Sequence, residues 1–157
     1  MKHIVGIADM KMASQPGDVV VTHGLGSCLG ITLYDPVAGV GGLLHVMMPT
    51  SSANPDRAKA NPFMFVDTGL PAFLDLLQTS GAVKSRCRLK VAGGATLNGN
   101  DHFEIGKRNY IILKKILWKC GVLIDAEDVG GALARTLYLQ IGSGRVWLNK
   151  AGEEYDL

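Results

Sequence analysis

The chain lacks the features that would tie it to a membrane or to a secretory route. No apolar run approaches the roughly 20 residues needed to cross a bilayer. The opening stretch MKHIVGIADMKM has neither an apolar core of about 7–15 residues nor a small-residue cleavage site, so it does not read as a signal peptide. A cytoplasmic protein without membrane insertion is expected. Charge of either sign is also in no excess, with 16 Lys and Arg against 14 Asp and Glu. Nucleic-acid binding needs clustered cations. The densest group, Lys114, Lys115 and Lys119, falls late in an expected helix, where the helix dipole is reason enough for it. No nucleic-acid partner is expected. Cysteine is scarce: Cys28, Cys87 and Cys120 are odd in number and form no C-x-x-C pair. That excludes a disulfide framework and a zinc knuckle and predicts free thiols. His3, His23 and His102 have no metal-ligand spacing, and neither a metal nor another cofactor is expected. There are no repeats and no low-complexity tracts.

What is present suits one domain spanning residues 1–157, since a core commonly serves about 100–200 residues. The composition, 47% hydrophobic and 19% charged, is that of a globular chain. Strand signals fill the first half: His3–Ile7, Asp18–Thr22, Leu29–Tyr34 before the turn Asp35-Pro36, and Gly41–Met48 ended by Pro49. The polar stretch from Thr50 to Asn61 reads as a surface loop. Leu70, Phe73, Leu74 and Leu77 recur at helical spacing. Asp67 or Thr68 is the expected cap there, with Pro71 in the first turn and Gly81 closing. A second helix is expected from Asn109, as its cap, to Cys120, with Gly121 at its end. Arg88–Ala92, Val122–Asp125, Leu137–Ile141 and Arg145–Leu148 complete the strands, with a hairpin at Gly142-Ser143-Gly144. The fold class that follows is α/β, a layered sandwich with a mixed sheet.

The most informative segment is Val21–Gly30, VTHGLGSCLG, a β-branched strand emptying into glycines. A phosphate cradle fits it poorly. Gly24 and Gly26 give G-x-G, but Leu29 occupies the third glycine position of a dinucleotide fingerprint and no Gly-Lys-Ser/Thr is present. Ser27 is no hydrolase elbow, because Leu25 and Leu29 stand where G-x-S-x-G needs glycine. A nucleophile turn fits better. Glycines at 24 and 26 let the backbone fold sharply, so that Cys28 projects and nearby amides, with Ser27 in the turn, can cradle an oxyanion.

A thiol at its ordinary pKa is only a few per cent thiolate at neutral pH and needs a base. His45, seventeen positions downstream, lies in the apolar strand Gly41–Met48 with no evident packing reason. A lone cysteine is more often a small buried hydrophobe, and a lone strand histidine a core residue, so spacing alone leaves both readings open. Cys87 and Cys120 have structural surroundings. Phe103, an aromatic in the polar stretch Asn98–Glu104, reads equally as a partner-binding anchor or as a residue tucking the loop onto the core.

An ordered series of motifs resembles the CheD family of chemoreceptor glutamine deamidases along nearly the whole chain. The series is Thr22-His23-Gly24-Leu25-Gly26-Ser27-Cys28, Tyr34-Asp35-Pro36, Gly42-Leu43-Leu44-His45-Val46-Met47-Met48-Pro49, Ala92-Gly93-Gly94-Ala95, Ile105-Gly106-Lys107-Arg108-Asn109, and Glu127-Asp128-Val129-Gly130-Gly131 with Arg135 beyond. The resemblance implies Cys28 as catalytic cysteine, His45 as catalytic histidine and Thr22 as the threonine supporting that histidine. His23 departs from the apolar residue expected at its position. The resemblance further implies a sandwich similar to toxin-type glutamine deamidases and hydrolysis of glutamine side chains on chemoreceptor cytoplasmic helices, with release of ammonia. A methylesterase side activity, a CheC-type phosphatase as regulator, and a non-catalytic binding role as the rival reading complete what it implies.

Overall fold

Two five-stranded sheets lie face to face, and helices cover the outer face of one of them. The computed structural model describes residues 1–97 and 103–157. The strands are β1 (Lys2–Val5), β2 (Asp9–Ala13), β3 (Val19–Leu25), β4 (Leu29–Asp35), β5 (Val40–Val46), β6 (Arg88–Gly93), β7 (Ile124–Val129), β8 (Arg135–Gln140), β9 (Val146–Lys150) and β10 (Glu153–Asp156). The helices are α1 (Pro55–Ala60), α2 (Val66–Thr79) and α3 (Ile105–Cys120). One sheet runs β1-β3-β8-β9-β10 and the other β2-β5-β4-β6-β7. Each holds one parallel pair, β1 with β3 and β6 with β7, and is otherwise antiparallel, so both are mixed.

Side-chain alternation decides the layering, because successive residues of a strand point to opposite faces. Along β4, Leu29, Ile31 and Leu33 join Leu44 and Val46 of β5 in a core with Leu70, Phe73, Leu74 and Leu77 of α2 and Leu113 and Leu117 of α3. Fully burying each such side chain is worth about 1.5–3 kcal/mol, so the apolar stripe of α2 drives its docking. The opposite face of the same sheet, with Leu43, Tyr34 and Ala92, packs on Val20, Leu25, Leu137, Leu139 and Leu148 of the other sheet. The expected α/β layered class is therefore the observed one, as a sheet–sheet–helix sandwich.

Several expectations are corrected at their edges. β2 and β10, not expected from the sequence, are outer strands paired on one side only; β2 alternates Met10 and Met12, packed against the helix-side core, with Asp9 and Lys11, whereas β10 is exposed along its length and carries no apolar alternation to betray it. The polar loop at 50–61 contains α1, begun by Pro55 with the Asn54 side chain accepting from Arg57 N–H. In α2 the residue preceding the helix is Phe65, and Pro71 stands inside the helix, where it removes one intrahelical donor. The expected cap of α3 is also overturned. That helix begins at Ile105 after Glu104, and Asn109 lies within it, fully buried. Gly121 ends it in the left-handed conformation as expected.

Candidate active site

Cys28 stands one residue before β4, and Leu29 pairs with Val46 while Gly30 pairs with His45. Cys28 packs against the core between the two sheets, on the face of β4 and β5 from which Gly30 and His45 also project toward the second sheet. Opposite His45, glycine at position 30 lets Leu25 and Leu137 of the second sheet pack directly onto the β4 backbone. A Cβ there would meet Leu25 Cδ1 at 2.9 Å and Leu137 Cδ2 at 3.0 Å.

The third group arrives from the other sheet. Thr22 Oγ1 lies 2.7 Å from His45 Nδ1 and donates its proton to the carbonyl of Val5 at 2.8 Å. A hydroxyl has one proton, so with that proton on Val5 the oxygen accepts from Nδ1–H. The arrangement selects the Nδ1–H tautomer and leaves the Nε2 lone pair available. Nε2 is buried and makes no hydrogen bond among the described residues. A β-bulge brings Thr22 here together with Leu25. Thr22 pairs with Leu137 and Leu25 with Arg135, one residue more on β3 than on β8, with Gly24 at φ +68° inside it. The extra residue turns both Thr22 and Leu25 inward. His23, between them, is exposed, with Thr136 Oγ1 3.4 Å from its Nδ1; it faces away from the site.

Burial sets the resting protonation. It pushes the Cys28 thiol up, with its own backbone N–H acting in the opposite sense. It also lowers His45 from an ordinary 6.5 to about 4. At neutral pH the pair therefore rests as thiol and neutral imidazole. Within the turn, Gly26 N–H donates to Gly24 carbonyl at 3.0 Å and is engaged in this conformation. No backbone carbonyl among the described residues takes the N–H of Ser27 or of Cys28.

The turn is clamped from below by glycines that spacing alone did not single out. Cys28 carbonyl accepts from Gly94 N–H at 2.9 Å, and Gly26 carbonyl from Ala95 N–H at 2.8 Å. Gly93 has φ +115°, and a Cβ on it would sit 2.1 Å from Cys28 O. A Cβ on Gly106 would sit 2.5 Å from the Gly94 carbonyl, so α3 abuts this loop backbone to backbone. Arg135, almost fully buried, donates to Asp128 at 2.9 Å and to Gly93 carbonyl at 3.3 Å. Asn109 Nδ2 donates to the carbonyls of Ser27 and Met47, each at 3.0 Å. The motif series quoted above already contains these residues, but only the contacts tell what each one touches.

The other sequence candidates lie apart from this cluster. Cys87 and Cys120 are partly buried against the helix-side core. Phe103 is exposed, and the rest of its stretch, Asn98 to His102, lies outside the described residues. His3 Nε2 is hydrogen-bonded to Asp18 at 2.8 Å. Among the described residues no group of three or more His, Cys, Asp or Glu could hold a metal, and no helix is long and apolar enough to cross a membrane.

A cysteine at a glycine turn, an imidazole on the adjacent strand and a hydroxyl orienting that imidazole define the kind of constellation found in thiol-dependent acyl-transfer proteins. The family model for CheD chemotactic sensory transduction matches residues 47–150. The chain is similar to the probable chemoreceptor glutamine deamidase CheD of Solibacter usitatus, 46% identical over 155 residues, 98% of this chain and 92% of the relative. It is also similar to the probable chemoreceptor glutamine deamidase CheD 1 of Syntrophus aciditrophicus, 43% identical over 95% of this chain and 94% of the relative. A probable chemoreceptor glutamine deamidase CheD of Thermococcus kodakarensis is 42% identical over 93% of this chain and 91% of the relative. The chain belongs to the CheD family.

Proposed function

We propose that this protein is an amidohydrolase that converts glutamine side chains of chemoreceptor cytoplasmic helices to glutamate, through a Cys28 thiolate generated by His45. One observation carries the mechanism: the Thr22 proton is committed to Val5 carbonyl, so His45 Nδ1–H is held by Thr22 Oγ1 and Nε2 is left as the base. The substrate class is the one for which the relatives are named.

In the reaction, Nε2 takes the thiol proton as Sγ attacks the glutamine amide carbon. Because the resting pair is neutral, the thiolate exists only once Nε2 has taken the proton. The N–H groups of Ser27 and Cys28 face the developing oxyanion. Losing a donor of this kind commonly costs about 10²–10³ in rate. The imidazolium then protonates the departing nitrogen, ammonia leaves, and a thioester remains. Water, deprotonated by the same Nε2, hydrolyses it to glutamate and free thiol. Thr22 is a positioning residue for the ring. A glutamate methyl ester presents the same acyl carbon, so a methylesterase side activity belongs to this proposal. A CheC-type phosphatase as regulatory partner and a cytoplasmic location belong to it through the family.

The test is mass spectrometry of a receptor-helix peptide incubated with the protein. Each deamidation adds about one dalton, and Cys28→Ala abolishes the gain if the thiolate is the nucleophile. If wild type and Cys28→Ala bind the peptide alike and neither shifts its mass, the protein is a non-catalytic binding partner instead.

A further inference from the structure

The sheet itself does not hold the thiol segment against the imidazole strand. The β4–β5 ladder ends at Leu29 and Val46, so Cys28 on one chain and Met47 on the other lie past its last pair. Beyond that point each segment is tied to a different neighbour. Cys28 and Gly26 carbonyls accept from Gly94 and Ala95, whereas the N–H groups of Met47 and Met48 both go to Met64 carbonyl.

Asn109 spans this gap. It reaches from α3, on the far side of the sheet from Thr22, and its Nδ2 donates at 3.0 Å to Ser27 carbonyl and at 3.0 Å to Met47 carbonyl. Ser27 immediately precedes Cys28, and Met47 follows His45 by two residues. A carboxamide nitrogen carries two protons and both are used here. This also fixes which end is which, since the amide oxygen could not face two carbonyls. Oδ1 is left buried and without a hydrogen-bond partner among the described residues, which is costly for an interior polar atom. Among the described residues only His45 Nε2 shares that condition. The residue does not cap its helix, which begins a turn earlier at Ile105, so capping does not account for it.

We propose that Asn109 is a positioning residue for the thiol–imidazole pair. Its amide is a planar strut of fixed width between the Cys28 segment and the end of the His45 strand. It sets the separation at which Sγ and Nε2 meet during proton transfer. The group is neutral, so it acts on geometry and not on the charge of either partner. A displacement of about 1 Å between reacting groups can cost on the order of 10²-fold in rate. The proposal rests on Cys28 and His45 being nucleophile and base.

The test uses the full chain carrying Cys87→Ser and Cys120→Ser, so that iodoacetamide reads Cys28 alone. Its labelling rate as a function of pH is compared with that of the same chain carrying His45→Ala, Asn109→Ala or Asn109→Thr. The His45→Ala difference measures how much the imidazole assists the thiol. Folding is checked by circular dichroism and a cooperative melt. The expected result is that folded Asn109→Ala falls at least about tenfold, to the His45→Ala level. Asn109→Thr, whose hydroxyl can serve one of the two carbonyls, is expected between them, and kcat for deamidation falls in parallel while KM moves little. A folded Asn109→Ala with the unsubstituted labelling profile overturns the proposal. If that variant does not fold, Asn109→Thr decides by the same comparison, and failure of both to fold assigns the amide a purely structural role. Labelling that ignores His45→Ala sinks the thiol–imidazole pair and this inference with it. His45-dependent labelling in a protein that deamidates nothing sinks only the substrate reading.

Discussion

Thr22 Oγ1 accepts from His45 Nδ1 at 2.7 Å while giving its own proton to Val5 carbonyl at 2.8 Å. Neighbouring strands of one sheet, β1 and β3, thus meet β5 of the other at one hydroxyl. Thr22→Val, nearly the same shape, leaves the ring N–H and the Val5 carbonyl without a partner. It should lower stability by about 1–3 kcal/mol and, by freeing the tautomer, lower kcat about 10–100-fold, as losing an orienting partner does for histidines elsewhere. Thr22→Ser should restore most of both. Urea unfolding and deamidation kinetics on the three proteins check this.

The buried imidazole makes stability depend on pH in a particular window. His45 titrates at 6.5 when unfolded and near 4 when folded, so between those values the unfolded chain binds the extra proton. Stability contributed by this residue is complete above pH 6.5 and is withdrawn as pH falls toward 4, by a total on the order of 3 kcal/mol. Urea midpoints across that range should fall more steeply for wild type than for His45→Gln. The acid limb of kcat/KM should lie nearer pH 4 than pH 6.5. An acid limb at 6.5 would contradict the burial of the ring.

Gly93→Ala tests the clamp under the nucleophile turn. The added Cβ would stand 2.1 Å from Cys28 O, at a residue with φ +115°. Backbone strain and overpacking together should cost about 2–4 kcal/mol, and the Cys28 segment must shift to relieve them. Deamidation should fall by at least about tenfold even well below the melting temperature, since the reacting atoms move. Alanine at Gly39, where a Cβ meets nothing within 4 Å at φ +68°, carries the strain without the clash and separates the two causes.

Arg135→Met should destabilise by about 3 kcal/mol, the usual cost of breaking a buried pair from one side. It leaves Asp128 with Lys150 alone, at 3.2 Å, and removes a donor from Gly93 carbonyl. Thermal melts of Arg135→Met, Asp128→Asn and the double substitution give the coupling between them.

Cys87→Ser and Cys120→Ser together should leave deamidation within about twofold. Both thiols are partly buried against the helix-side core, where a cysteine behaves as a small hydrophobe. Retained activity in the double variant leaves Cys28 as the thiol that matters, and loss of activity in a folded double variant would contradict that assignment.

Local chemistry wrote much of this protein openly. The stripe at Leu70, Phe73, Leu74 and Leu77 reads as a helix because period 3.6 repeats within one turn of chain. Cys28 at the foot of a glycine turn, and His45 in an apolar strand, stand out because each is a reactive group in a setting that does not otherwise call for it. Asn109 misled for the same local reason: an Asn ahead of an apolar periodic run is what a helix cap looks like, and the carbonyls it serves are 82 and 62 positions away. β10 was invisible because an exposed edge strand buries nothing.

The sequence by itself determined the alternation that makes two inner faces, the turn that exposes a thiol, and the family to which the chain belongs. Tertiary structure alone decided which atoms meet. That Thr22 on β3 faces His45 on β5 depends on two sheets packing in one register and on a bulge that turns Thr22 and Leu25 inward together. That Gly93 must be glycine depends on where Cys28 carbonyl lands. Contacts between residues distant in the chain follow from how whole faces fit together, and no local pattern of residue types records that fit.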